Sequence, residues 1–182
     1  MSVKNNGFTI VELLIVIVVI GILAAIAIVA YNGVQANTRD SARNAAIKQI
    51  RTSLEAYKAI HGVYPATSHA GTNLPSGFTG MWGTGYGYSI DTAGNWMRSL
   101  KDSDVVKTVP VDPINDTNHY FTYWSSTGYG ACREPFYMLA VIGYENPDNI
   151  PDDSKSLICT EGSTIAHWAT GTGRAVFSNI PR

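Results

Sequence analysis

Residues Gly7 to Ala30 read Gly-Phe-Thr-Ile-Val-Glu-Leu-Leu-Ile-Val-Ile-Val-Val-Ile-Gly-Ile-Leu-Ala-Ala-Ile-Ala-Ile-Val-Ala, with a single charge, Glu12, near the front. No charged residue or histidine occurs from Leu13 to Thr38. As a helix that stretch of 26 residues rises roughly 39 Å, enough for a hydrocarbon core of ~30 Å. A carboxylate carried to the bilayer centre costs about 2.5–3.5 kcal/mol. A plain anchor has no use for Glu12, and a partner charge is the explanation to seek.

The segments Phe8-Thr9-Ile10-Val11-Glu12-Leu13-Leu14 and Gly21-Ile22-Leu23-Ala24-Ala25-Ile26-Ala27 resemble the N-terminus of the type IV pilin family. That family includes pilins and the pseudopilins of secretion and DNA-uptake machines. The resemblance is carried by the residues up to Tyr31. It implies a leader peptide over residues 1–7, with Lys4 as its basic residue, cleaved between Gly7 and Phe8 by a prepilin peptidase. It implies N-methylation of Phe8, and assembly through Phe8 and Glu12, the fifth residue of the mature chain. Residues 8–35 would form the transmembrane and filament-core helix, and 36–182 a globular head beginning with the second half of that helix. Val29 stands where many family members have proline, so the helical ladder keeps its N–H there.

The implied function is that of a structural subunit of an extracytoplasmic filament serving adhesion, motility or DNA uptake. Its partners would be itself and related pilins, the peptidase and a membrane assembly platform, with DNA or a surface as a further ligand. Before assembly it would sit in the cytoplasmic membrane with its N-terminus inside, as Lys4 favours, and afterwards in an extracellular or periplasmic filament. Two other roles stay open: a pseudopilin of a type II secretion or competence system, and a minor pilin binding DNA or a surface. A secretory signal peptide ending at Ala25-Ile26-Ala27 is the blander reading; the long apolar run and its acid argue against it.

At 182 residues the chain suits one anchored domain. Mean hydropathy of +0.00 averages an apolar end and a polar remainder. Thirteen Lys and Arg stand against fourteen Asp and Glu, and loss of Lys4 would move the formal charge from −1 to −2. That balance does not suggest a general nucleic-acid-binding surface. The two cysteines, Cys132 and Cys159, would meet an oxidising compartment beyond the membrane, which favours a disulfide. Such a bridge adds roughly 3–4 kcal/mol by chain entropy. Many pilins close a C-terminal loop this way, so the resemblance implies the same pairing. There is no Cys-x-x-Cys, which makes the bridge structural.

The helix is expected to continue from Phe8 to His61, ended by Gly62 and Pro65. Ile47, Ile50, Leu54, Tyr57 and Ile60 recur at three- and four-residue spacings and read as its buried stripe. Arg39, Arg43, Lys48, Arg51 and Lys58, with Asp40 and Glu55, fall on the other faces and read as solvated. Residues 71–95 read as a long connection with a short hairpin at Tyr86–Ile90, and Asn95–Leu100 as a short helix. His119–Ser125 and Phe136–Tyr144 read as strands, with Leu157–Thr160 and Arg174–Ser178 as weaker ones. The fold class is α+β, with a long N-terminal helix laid on a small antiparallel sheet in the pilin manner.

Motifs for chemistry are sparse. Val109-Pro110-Val111-Asp112-Pro113 with Tyr120-Phe121-Thr122-Tyr123 resembles a segment of major pseudopilins. Asp112-Pro113-Ile114-Asn115-Asp116 offers oxygen ligands for Ca²⁺, as in some relatives, yet lacks EF-hand spacing, and turn formation accounts for it. Gly83-Thr84-Gly85-Tyr86-Gly87 and Gly171-Thr172-Gly173 lack the ending of a phosphate loop. The four histidines have no metal-ligand spacing, and no nucleophile elbow is present. The expectation is no cofactor and no catalysis. The five helix cations could meet a DNA backbone, though solvation of the exposed face explains them better.

Overall fold

The computed structural model describes residues 9–67, 73–78, 80, 83, 86–128, 134–153, 158–159, 163–164 and 173–179. The chain divides into two compact units, Met1–Thr38 and Arg39–Arg182. Helix α1 covers Ile10–His61 and passes through Val29 without a break. Its end follows from backbone freedom: Gly62 takes φ +76, a region where side chains are strained, and its N–H caps the Lys58 carbonyl at 2.8 Å.

In the second unit, β1 (Gly87–Tyr88), β2 (Tyr120–Ser126), β3 (Phe136–Ile142) and β6 (Arg174–Ser178) form one sheet in the order β1-β2-β3-β6. All three pairings are antiparallel, with Thr122 opposite Ala140 and Leu139 opposite Phe177. β4 (Ile158–Cys159) and β5 (Ser163–Thr164) make a separate two-stranded ladder. A short α2 spans Arg98–Lys101, and a 3-10 turn spans Pro147–Asn149.

Alternation along the strands makes two layers of core. Phe121, Tyr123, Tyr137, Leu139, Val141 and Phe177 pack with Ile47, Ile50 and Leu54 of α1 and with Trp96 and Leu100. The opposite face, Tyr120, Met138, Ala140 and Val176, packs with Tyr88, Leu74 and Phe78. Every residue of β3 is therefore buried. That is unusual for an antiparallel sheet, which commonly leaves one face wet, and its sequence, a continuous apolar run, reflects it.

The strands begin or end within two residues of their expected positions. Three expectations are corrected. The described part of the 71–95 connection is a lid on the second sheet face, because Leu74, Phe78 and Tyr86 supply apolar surface that the sheet needs covered. Residues 87–88 pair with β2, not in a local hairpin. Ile60 is 69% exposed, since α1 has by then run past the sheet.

Thr122 is fully buried, and its Oγ1 has no hydrogen-bond partner among the described residues. Thr122→Val removes that unsatisfied hydroxyl while keeping a β-branched shape. It should stabilise the head by about 1 kcal/mol, raising Tm by roughly 3 °C. A thermal melt of the full chain in detergent reads this directly, and an unchanged or lower Tm would refute it.

Candidate functional site

The first unit presents a helix that is apolar all round. Every large apolar side chain from Ile10 to Val34 is exposed, from 48% at Val19 to 84% at Ile10. Its most apolar eighteen-residue window has a mean hydropathy of 3.4 and nothing buried, so α1 is long and apolar enough to cross a membrane. Soluble proteins rarely expose apolar patches beyond a few hundred Å², and a helix without a polar face belongs in lipid or among other helices.

Glu12 closes the front of this helix. Thr9 Oγ1 accepts from the Glu12 N–H at 3.2 Å, while Glu12 Oε2 accepts from Thr9 N–H at 2.8 Å and Thr9 Oγ1–H at 2.7 Å. This is a capping box. It explains why α1 starts at Ile10. Oε1 carries no bond among the described residues, so capping leaves half the carboxylate for another donor. The signal was present in Thr9-x-x-Glu12, and a reading by charge alone passed over it. Gly7, Phe8 and Cys132 lie outside the described residues; of Cys159 only the backbone, in β4, is described.

The second unit contains a group that sequence reading missed. Arg43 and Asp40 have no exposed side-chain surface. Arg43 donates from Nε to Asp112 Oδ2 at 2.6 Å, from Nη2 to Asp112 Oδ1 at 3.1 Å, and from Nη1 to Asp40 Oδ1 at 2.7 Å and Glu145 Oε1 at 3.3 Å. Arg39 adds a two-pronged pair to Glu145, both bonds 2.5 Å. Asp40 also accepts from the backbone N–H of Glu145 and Asn146, at 3.1 and 2.9 Å, and from Asn149 Nδ2 at 3.1 Å.

Burial pushes the Asp40 carboxyl up, yet the donors from Asn149, Asn146, Glu145 and Arg43 outweigh it and hold the group below its ordinary value. Arg39 first, then Arg43, holds Glu145 down at about 2. Burial opposes the charge on Arg43, but Asp112 and Asp40 raise its pKa still further. The network fastens α1 to the 112–115 turn and to residues 145–149.

These contacts correct the reading of solvated cations. Arg43 is wholly inside, Arg39 pairs with Glu145, Arg51 pairs with Asp153 at 2.5 Å and lies over Phe177, and Lys58 lies over Tyr64. Of the five, Lys48 is exposed and has no such role among the described residues. The spacing that would have revealed the network is the core stripe itself: Asp40 and Arg43 continue Ile47, Ile50 and Leu54 backward by threes and fours. The acidic turn resolves likewise. The cation facing Asp112 is Arg43, while its Oδ1 also takes the Ile114 and Asn115 N–H groups at 2.9 and 3.3 Å. Asp116 holds His119. No group of three or more His, Cys, Asp or Glu poised for a metal occurs among the described residues.

Comparison with known proteins bears on the first unit most directly. The model of the prokaryotic N-terminal methylation motif matches residues 3–28. The type IV major pilin protein PilE1 of Neisseria gonorrhoeae is 34% identical over 137 residues, 73% of this chain and 58% of that protein. The type IV major pilin protein PilA of Myxococcus xanthus is 33% identical over 90 residues, 50% of this chain and 39% of that protein. A fimbrial protein of Neisseria meningitidis is 27% identical over 118 residues, 65% of this chain and 62% of that protein. The chain thus spans less than two thirds of the length of these relatives. No solved structure gave a match.

Proposed function

We propose that this chain, which belongs to the type IV pilin family, is a structural subunit of an extracytoplasmic pilus filament. The observation that carries the reading is a coincidence of place. The methylation motif covers residues 3–28, and within the same residues lies a helix whose apolar surface has no cover. Exposed apolar surface is favourable only where water is excluded, first in the bilayer and then among neighbouring helices of the filament. Head-to-tail contacts that do not close into a ring produce open rods. The role is structural, not catalytic.

On this reading residues 1–7 are a leader removed at Gly7, Phe8 becomes the methylated N-terminus, and residues 8–35 form the filament core. The head begins at 36. The precursor spans the cytoplasmic membrane with its N-terminus inside, and Cys132 and Cys159 are joined after export. One measurement tests processing and bridging together. The intact mass of subunits sheared from the cell surface should correspond to a chain starting at Phe8 with one added methyl, and should rise by two hydrogens on reduction. A terminus after Ala27 would end the filament reading. An unchanged mass on reduction would refute the disulfide alone.

The relatives' names favour a pilus over a secretion pseudopilus. Imaging cells that express the chain decides between them, since a pilus extends beyond the envelope and a pseudopilus does not.

A further inference from the structure

We propose that the buried ionic network around Arg43 is a mechanical clamp, which sets the force at which α1 is pulled out of the head. Its use in the cell rests on the filament reading, in which subunits cohere through residues 8–35 and meet their surroundings with the head. The chain passes from the first unit to the second at Thr38–Arg39. A pull on the filament core therefore enters the head along the α1 backbone at Arg39.

The head is fastened where that pull arrives. Arg39, Asp40 and Arg43 hold Asp112 and Glu145 through the ion pairs described above. Asn44 adds to them: its Nδ2 donates to the Asn149 carbonyl at 3.0 Å, and Tyr144 Oη donates to its Oδ1 at 2.5 Å. Farther along α1 the contacts with the sheet are mainly those of Ile47, Ile50 and Leu54. Force applied at one end of a docked helix peels its contacts in order, so those nearest Arg39 are strained first.

Both far ends of the network are tied into the sheet. Asp112 takes the Asn115 N–H, and Asn115 Oδ1 accepts from Ser89 Oγ at 2.7 Å while its Nδ2 donates to the Ser89 carbonyl at 3.2 Å. Ser89 N–H donates to the Phe121 carbonyl of β2, and Ser89 Oγ accepts from the Phe121 N–H, each at 2.9 Å. On the other side, Glu145 follows the end of β3. The Gly143 and Tyr144 N–H groups before it donate to the Gly173 carbonyl, at 3.0 and 2.9 Å, just ahead of β6. A pull entering at Arg39 is thereby shared among β2, β3 and β6.

The kind of bond suits the place. Hydrogen bonds weaken steeply with small changes of distance and angle, so they resist the first displacement. Hydrophobic contact is non-directional and lets surfaces slide. A buried ion pair adds little stability that well-packed apolar side chains would not supply. Stability alone therefore does not account for charges gathered at the end of the helix that the pull reaches first.

The test is single-molecule pulling on the full chain in detergent, with one handle on a C-terminal tag. The other handle is carried by Thr38→p-azidophenylalanine or by Val63→p-azidophenylalanine, both at exposed positions. The first loads α1 through the network, and the second applies force beyond the end of α1. Arg43→Met is compared with Leu54→Ala or Leu54→Val, whichever loses the same stability in urea. Leu54 is fully buried on the same helix, behind the network. With the Thr38 handle, Arg43→Met should unfold at least about tenfold faster at fixed force than the matched Leu54 variant, since forced unfolding reads the unfolding rate. With the Val63 handle the two should unfold at similar rates. Arg43→Lys, which keeps the charge but loses the forked geometry, serves in the same comparison if Arg43→Met does not fold. Equal rates from the Thr38 handle, or an undiminished gap from the Val63 handle, would overturn the clamp. The measurement uses single subunits, so a chain that forms no filaments would end the filament reading and leave this result unchanged.

Discussion

Glu12→Val is expected to abolish filaments while membrane insertion and cleavage at Gly7 proceed. Valine removes two things at once: the capping-box acceptor for Thr9 and the carboxylate proposed to receive the methylated, still cationic N-terminus of Phe8 on a neighbouring subunit. Glu12→Gln separates them. Glutamine serves in a capping box, so α1 keeps its start, but it offers no charge. If the inter-subunit pair matters, Glu12→Gln fails almost as completely as valine, since truncating one partner strands the other charge away from water. Filament yield by electron microscopy, with cleaved subunit quantified in membranes, reads both. Normal filaments from Glu12→Gln would show that capping suffices and would sink the pairing.

Arg43→Met is expected to destabilise the head by about 3–5 kcal/mol, the usual cost of breaking a buried ion pair from one side. That is a large share of the roughly 5–15 kcal/mol that holds a typical domain together. Asp40 and Asp112, respectively 0% and 2% exposed, would face each other without their shared cation. Arg39→Met, at the half-exposed edge of the same network, should cost no more than about 1 kcal/mol.

The pH dependence follows from the direction of the shifts. Asp40 and Glu145 have folded pKa values below their ordinary ones, so their stabilisation is complete above the ordinary carboxylate range. It is lost as pH falls through the folded values, for Glu145 between about 4.5 and about 2. Without Arg43 the buried carboxyls favour protonation, so the variant regains stability as pH falls from 7 toward 4. Denaturation of the full chain at both pH values should show the gap to the native chain narrowing. A gap that stays constant would mean that packing of the arginine stem, not charge, dominates.

The long helix, its end at Gly62 and strands β2, β3 and β6 are visible in the linear sequence because each rests on near neighbours: the 3.6-residue stripe, a glycine with positive φ, runs of β-branched and aromatic residues. Glu12 and its apolar surroundings are legible for the same reason, since Thr9 and the helix it caps are adjacent in sequence. The ionic network is different. Arg43 meets Asp112 across 69 positions and Asp40 meets the Glu145 backbone across 105, so the stripe spacing that puts Arg43 on the buried face does not name the partners that make its burial tolerable.

Burial of the second sheet face was hidden likewise. Leu74 and Phe78 sit in a stretch whose glycines and threonines suggest an open loop, and only the folded chain places them against that face, Phe78 beside Tyr88 and Tyr120. The sequence by itself determined the exposed apolar helix, its capped start and the order of elements, because those depend on local periodicity and hydropathy. Tertiary structure decided which charges are inside, because moving a charged group out of water becomes tolerable only when partners distant along the chain converge on it.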